Sequence, residues 1–197
     1  MCSSDLEDSV GATARRLGLT PEEYIYDKLL EDDGNAMVYT ALGNFHNARL
    51  DSVREMLQHK DTVLGLGDGG AHYGMICDAS YPTFMLSHWT RDRADGKLPL
   101  EWAVKSLAAD PARAVGLNDR GILAPGYKAD INIIDYDALA LDQPKVIYDL
   151  PAGGRRLDQT ARGYAAMIVS GKVVYRNGQP TGELPGRLVR GQQEVRA

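Results

Sequence analysis

A chain of 197 residues that is 44% hydrophobic and 25% charged has the make-up of an ordinary globular protein with one sizeable core, which excludes disordered and collagen-like classes. Its 22 Lys and Arg face 27 Asp and Glu, a formal charge of -5 with no block of like sign, so neither nucleic acid nor a membrane surface is an expected partner. Cys2 and Cys77 make neither a disulfide framework nor a Cys-x-x-Cys pair and point to a reducing cytoplasm, and no apolar run approaches the roughly 20 residues of a membrane span.

The opening Met-Cys-Ser-Ser-Asp-Leu lacks the basic-then-apolar order of a signal peptide. It runs straight into what reads as the middle of a domain, as a scar from cloning or sequence assembly would. Thr20, Pro21 and Glu23 predict a capping box with proline at the first helical position, and Ile25, Leu29 and Leu30 give that helix an apolar face ending near Gly34. Ala36 to Leu42 is short, apolar and bounded by glycines, as expected of a buried strand. An amphipathic helix with Leu50, Val53, Met56 and Leu57 follows, and Thr62 to Leu66 reads as a second buried strand. Helix, strand, helix, strand with short connections is the rhythm of parallel β/α units.

Gly69 to Leu98 shows no clear period and is expected to be a long loop lining a pocket. A helix is predicted from Leu100 through Ala108, and a short one from Asp110-Pro111, closed by Gly116. From Gly121 the texture changes to strands. Ala129, Ile131 and Ile133 alternate with polar residues, Gly171-Lys172 is a plausible hairpin turn between Met167–Ser170 and Val173–Arg176, and Asn177-Gly178 marks another turn. The expectation is an α/β chain, with β/α units over residues 1–120 and a small antiparallel β-sandwich segment over 121–197.

Asp68 is the foremost chemical candidate, because it directly follows an apolar strand and has glycines on both sides, Gly67 and Gly69, that let other groups approach. The C-terminal end of a strand is where a parallel barrel holds its catalytic side chains. Asp before Gly is equally common as a turn cap, and the pattern alone leaves both readings open. Gly65-x-Gly67-x-x-Gly70 also matches a dinucleotide fingerprint, but no helix is predicted at the third glycine to hold a pyrophosphate. His46, His59, His72 and His88 are too scattered to build a zinc site of three or four ligands. His46 and His72 follow the two expected strands and are candidates either for substrate contact or for backbone bonding. Arg91, beside His88-Trp89, is a candidate for a substrate carboxylate or for an exposed ion pair with Asp92 or Asp95. Cys77 has no histidine near it in sequence to activate it.

Several runs together resemble one family. Val63-Leu-Gly-Leu-Gly-Asp68-Gly-Gly-Ala-His72, Ile76-Cys-Asp-Ala-Ser80, His88-Trp-Thr-Arg-Asp92, Asp110-Pro-Ala-Arg-Ala-Val-Gly116, Asp119 through Asp130 and Pro185-Gly-Arg-Leu-Val-Arg190 closely resemble the C-terminal part of amidohydrolases related to N-acyl-D-amino-acid deacylases. The resemblance covers nearly everything after Val10. It implies a (β/α)8 barrel carrying one or two metal ions, zinc foremost, and a small β domain after it. It also implies that Asp68 ends the eighth strand, touches the metal centre and carries a proton from the metal-bound water to the leaving nitrogen. Gly69, His72 and Arg91 are then the expected substrate contacts. No His-x-His pair and no middle-strand ligands occur here, and a full barrel takes about 250 residues. The resemblance therefore implies an incomplete barrel of two strands, inactive alone, whose missing N-terminal segment comes from the same polypeptide or a partner chain. A cyclic amidase of the hydantoinase or dihydroorotase kind, and a non-catalytic half that needs a partner, are the competing expectations.

Overall fold

The computed structural model describes residues 7–40, 43–45, 49–65, 67 and 72–195. The chain divides into two compact units, Met1–Thr62 and Val63–Ala197; the change of texture near Gly121 falls inside the second.

In the first unit, α1 (Val10–Leu17) starts where the Ser9 hydroxyl accepts the Ala12 N–H at 3.2 Å, and it ends at Gly18, whose φ of 73° suits glycine. α2 (Pro21–Gly34) carries the expected capping box: Glu23 N–H donates to the Thr20 hydroxyl at 3.2 Å, and Thr20 N–H donates to the Glu23 carboxylate at 2.8 Å. Regular helix stops at Leu30, because Glu31, Asp32 and Asp33 leave helical φ and ψ. α1 and α2 pack on each other, and α3 (Asp51–Gln58) forms the predicted amphipathic helix. Ala14 is the one buried residue among those described in this unit, so Leu29, Leu30 and Met56 lie exposed.

Neither expected barrel strand forms a ladder in its described part: residues 36–40 and 62–65 have no strand structure, while Ala41, Leu42 and Leu66 lie outside the described residues. A short apolar run bounded by glycine carries the composition of a buried strand without its hydrogen-bonding partner, and only the partner makes it one.

In the second unit, part of the stretch expected to be a long loop, residues 78–92, is helical. A 3-10 turn (Asp78–Ser80) runs into α4 (Tyr81–Ser87) and on into a π-helix (His88–Asp92). Thr83, Met85, Leu86, Ser87 and Trp89 are all buried, so apolar and polar residues alike face protein and no 3.6-residue period survives for a reader of the sequence. α5 (Leu100–Leu107) and α6 (Ala109–Ala114) follow close to their predicted limits, and Gly116, at φ 74°, closes the pair.

The strands of the described residues are antiparallel. β1 (Ile131–Ile134), β6 (Tyr164–Val169), β7 (Lys172–Arg176) and β8 (Gln179–Pro180) form one sheet in the order β1-β6-β7-β8. Two ribbons join β2 (Ala140–Leu141) to β5 (Ala161–Arg162) and β3 (Lys145–Leu150) to β4 (Gly154–Asp158). The β6–β7 turn sits at Ser170-Gly171, one residue earlier than the predicted Gly171-Lys172, since both of its central residues have positive φ, 51° and 80°, the requirement of the tight primed turn. Asn177-Gly178 turns β7 into β8 as predicted. Leu139 is fully buried, and the Gly163 backbone lies against it so closely that a Cβ at 163 would come within 2.7 Å of the Leu139 Cα.

Candidate functional site

Asp68, Gly69 and His46 lie outside the described residues, so the site is built from the chain on either side of the Asp68 loop. Gly67 packs against the 3-10 turn. A Cβ there would meet the Tyr81 ring at 2.9 Å and the Ala79 Cα at 3.0 Å, so Gly67 lies against residues 79–81 with no room for a side chain. That stretch borders a cavity of about 450 Å3 within the second unit, lined by Tyr73, Ile76, Cys77, Ser80 and Thr83 on one side and by Asn132, Arg156, Tyr164 and Met167 on the other. The size suits a small molecule, and an apolar lining with a few placed polar groups is the usual composition of such a site.

Three bonds fix the two walls together. Leu157 N–H donates to the Tyr73 carbonyl at 2.6 Å, Ser80 Oγ to Gln159 Oε1 at 2.5 Å, and the Thr83 and Tyr164 hydroxyls share a hydrogen bond of 2.8 Å. Arg156 is the cation of the cavity, but Asp149 grips it at 2.8 Å through two nitrogens and Asp158 at 3.0 Å through the third. The Asp149 bond raises the Arg156 pKa and lowers that of Asp149, and two carboxylates on one guanidinium leave the wall there with a net negative charge. The Cys77 thiol is half-buried, and burial, then Asp78, pushes its pKa up, which keeps it protonated rather than nucleophilic.

The structure separates the other expected contacts from this cavity. His72 takes a left-handed φ of 56°, its carbonyl accepts the N–H groups of Met75 and Ile76 at 2.9 and 3.0 Å, and its exposed side chain does not line the cavity. Arg91 spends all five of its N–H donors within the protein. Nε and Nη2 fork onto Asp92 at 2.6 and 3.0 Å, Nη2 also reaches the Leu139 carbonyl at 2.6 Å, and Nη1 donates to the carbonyls of Tyr136 and Asp137. The ion pair with Asp92, one of the two alternatives read from the sequence, is formed. Arg91 thus ties the π-helix to the turn between β1 and β2. His88 stacks on Phe84 with ring centroids 4.6 Å apart, and burial, then Arg93, lowers its pKa against the opposing pull of Asp92.

Metal ligation does not fit the described residues, among which no group of three or more His, Cys, Asp or Glu comes together. Tyr73, Ser80, Thr83, Asn132, Arg156 and Tyr164 were not singled out from the sequence. Tyr73, Ser80 and Thr83 bond to segments about 80 residues away, as Thr83 does to Tyr164, and no local motif marks such pairs.

Gly67 thus packs on the residues that border a cavity of a size suited to a small molecule. Residues 7–175 match the model of the amidohydrolase family, and the chain belongs to that family. Among curated relatives, it is 32% identical to an N-acyl-D-glutamate deacylase of Alcaligenes xylosoxydans xylosoxydans over 143 residues, which are 71% of this chain and 26% of that protein. It is 26% identical to a 5-methylthioadenosine/S-adenosylhomocysteine deaminase of Desulfitobacterium hafniense over 68% of this chain and 36% of that one. A dihydroorotase of Lactobacillus acidophilus is 32% identical over 57% of this chain and 26% of its own length. The chain therefore spans about a quarter to a third of the length of the curated relatives it matches. A crystal structure of a D-aminoacylase is 31% identical over 52% of this chain and 19% of that one; its TM-score of 0.40 carries no argument about the fold.

Proposed function

We propose that this chain forms the C-terminal portion of a metal-dependent amidohydrolase that hydrolyses the amide bond of N-acylated D-amino acids. Asp68 accepts a proton from the attacking water and returns it to the departing nitrogen, without which the amine leaves as a poor anion. The observation that carries the reading is the family match, which runs through position 68, together with the packing of Gly67 on Ala79 at the border of the 450 Å3 cavity. The similarity to the deacylase over 71% of the chain supports the acylated amino acid as substrate class. The dihydroorotase match supports a cyclic amide as the second reading. We assign zinc to the whole enzyme, with its ligands chiefly outside this chain, and we place the protein in the cytoplasm; no helix of the described residues is long and apolar enough to cross a membrane. The remaining barrel strands come from further residues of the same polypeptide or from a partner chain.

The test joins this chain to those strands, by fusion or co-expression, and assays N-acetyl-D-glutamate, its L enantiomer and dihydroorotate. The D compound is expected to be the best substrate, and Asp68→Asn to lower kcat by a factor on the order of 10² to 10⁴ with an unchanged melt. Turnover within a few-fold of the unsubstituted enzyme removes Asp68 from the mechanism, and preference for dihydroorotate selects the cyclic amidase.

A further inference from the structure

A second concavity in the Val63–Ala197 unit, of about 920 Å3, lies between the segment around Asp119 to Lys128 and the extended chain of residues 184–193. Its wall carries Arg120, Lys128, Lys172, Arg187 and Arg190, five cations against Asp119 in the lining and Asp130 and Glu183 beside Lys128 and Lys172. In a chain of formal charge -5, that concentration is a local reversal of sign, and a concave wall of one sign focuses its field on whatever enters.

The extended chain is a strap fastened at both ends. Before it, Thr181 N–H donates to the Val174 carbonyl at 3.0 Å, and Lys172 pairs with Glu183 at 2.8 Å. After it, Asn118 N–H donates to the Gln193 carbonyl and Gln193 N–H to that of Gly116, each at 2.9 Å, and the Asn118 amide reaches Glu194 at 2.9 Å. A Cβ at Gly116 would fall 2.9 Å from Gln192 Cγ, so the strap lies close because that position is glycine. Between the fastenings, Arg187 and Arg190 make no side-chain ion pair or hydrogen bond among the described residues. Arg120, by contrast, is forked onto Asp119 at 2.8 and 3.1 Å, and Lys128 stands 3.5 Å from Asp130. Two unspent guanidinium forks on a fastened strap suit planar or tetrahedral oxyanions that accept two bonds at once.

We propose that this groove binds a small polyanion, carrying two or more carboxylate or phosphoryl groups, on Arg187 and Arg190 with Lys128 beside them. The proposal does not rest on the amidohydrolase reading and survives its failure.

Calorimetric titration of the whole chain with inorganic pyrophosphate and with tricarballylate, each against sodium chloride at equal ionic strength, tests it. At least one of the two polyanions binds saturably, and which one separates a phosphorylated from a polycarboxylate ligand. Arg187→Gln with Arg190→Gln lowers the affinity at least tenfold while the circular dichroism and the melt stay unchanged, both side chains being exposed. Should that pair disturb folding, Arg187→Lys keeps the charge without the fork and weakens binding several-fold. Heats no larger than those of chloride, undiminished binding by the variants, or tight binding of a single-stranded oligonucleotide that neither polyanion displaces would each overturn the proposal.

Discussion

Replacing Arg91 by methionine should cost the Val63–Ala197 unit stability rather than substrate affinity. The methionine keeps much of the apolar stem and removes five donors. The part-buried Leu139 carbonyl loses its partner at a cost of about 1–3 kcal/mol, while the Tyr136 carbonyl keeps the longer bond from the Leu139 N–H at 3.4 Å. The Asp137 carbonyl is exposed and regains water, and the half-exposed pair with Asp92 adds at most about 1 kcal/mol. The loss of about 1–4 kcal/mol corresponds, at a few degrees per kcal/mol for a unit of this size, to a fall in Tm of roughly 3–12 °C. Arg91→Lys should recover little of it, since an ammonium has three donors and no planar fork to reach carbonyls on both sides. Scanning calorimetry measures the fall, and saturation kinetics of the completed enzyme measure KM. A variant that melts within about 2 °C of the parent while KM rises tenfold or more would put Arg91 on the substrate, as the neighbourhood of His88-Trp89 suggests from sequence, and would refute the staple.

Gly163→Ala should be among the more damaging single substitutions in the β unit. Its Cβ would meet the Leu139 Cα at 2.7 Å and the Asp135 carbonyl at 2.9 Å from a backbone with φ 94°, so a loss of about 2–4 kcal/mol in denaturant titration is expected, whereas Gly171→Ala, with open space around it, should cost only its positive φ. Because burial and Arg93 lower the His88 pKa below its ordinary value of about 6.5, the folded state binds a proton less readily than the unfolded one. Stability is then fully present above the ordinary value and falls as the pH drops below it, and His88→Gln should flatten that slope; an identical slope in the variant would assign it elsewhere. Elemental analysis of the chelator-washed chain should find well under one zinc per molecule, and a stoichiometric metal would mean that residues outside the described set complete a site.

Local chemistry was legible and remote partnership was not. Thr20 and Glu23 announce their helix because both halves of the capping box lie within one turn, and Asn177-Gly178 announces its hairpin for the same reason. The Ser170-Gly171 turn was displaced by one residue because serine gives no sign that it will adopt a positive φ. The 78–92 helices were invisible because polar Thr83 and Ser87 are buried beside Met85, Leu86 and Trp89 while apolar Phe84 is exposed, which erases the period. The apolar runs at 36–40 and 62–65 read as strands from composition, yet a ladder depends on what lies beside them. In the candidate site, Asp68 stood out by its place between glycines, while the occupation of Arg91 by carbonyls 45 to 48 residues away left no mark on its own neighbourhood.

The three bonds that clamp the Tyr73–Thr83 segment to residues 157–164 make the β unit half of the cavity rather than a cap on it. Its shape and chemistry are then set by two stretches of chain far apart in sequence, one over Tyr73 to Thr83 and the other in a ribbon and sheet downstream. A change at Asn132, Tyr164 or Met167 alters the downstream wall while the residues of the upstream wall stay as they are. Under the function proposed above, substrate preference can be altered through that downstream wall alone.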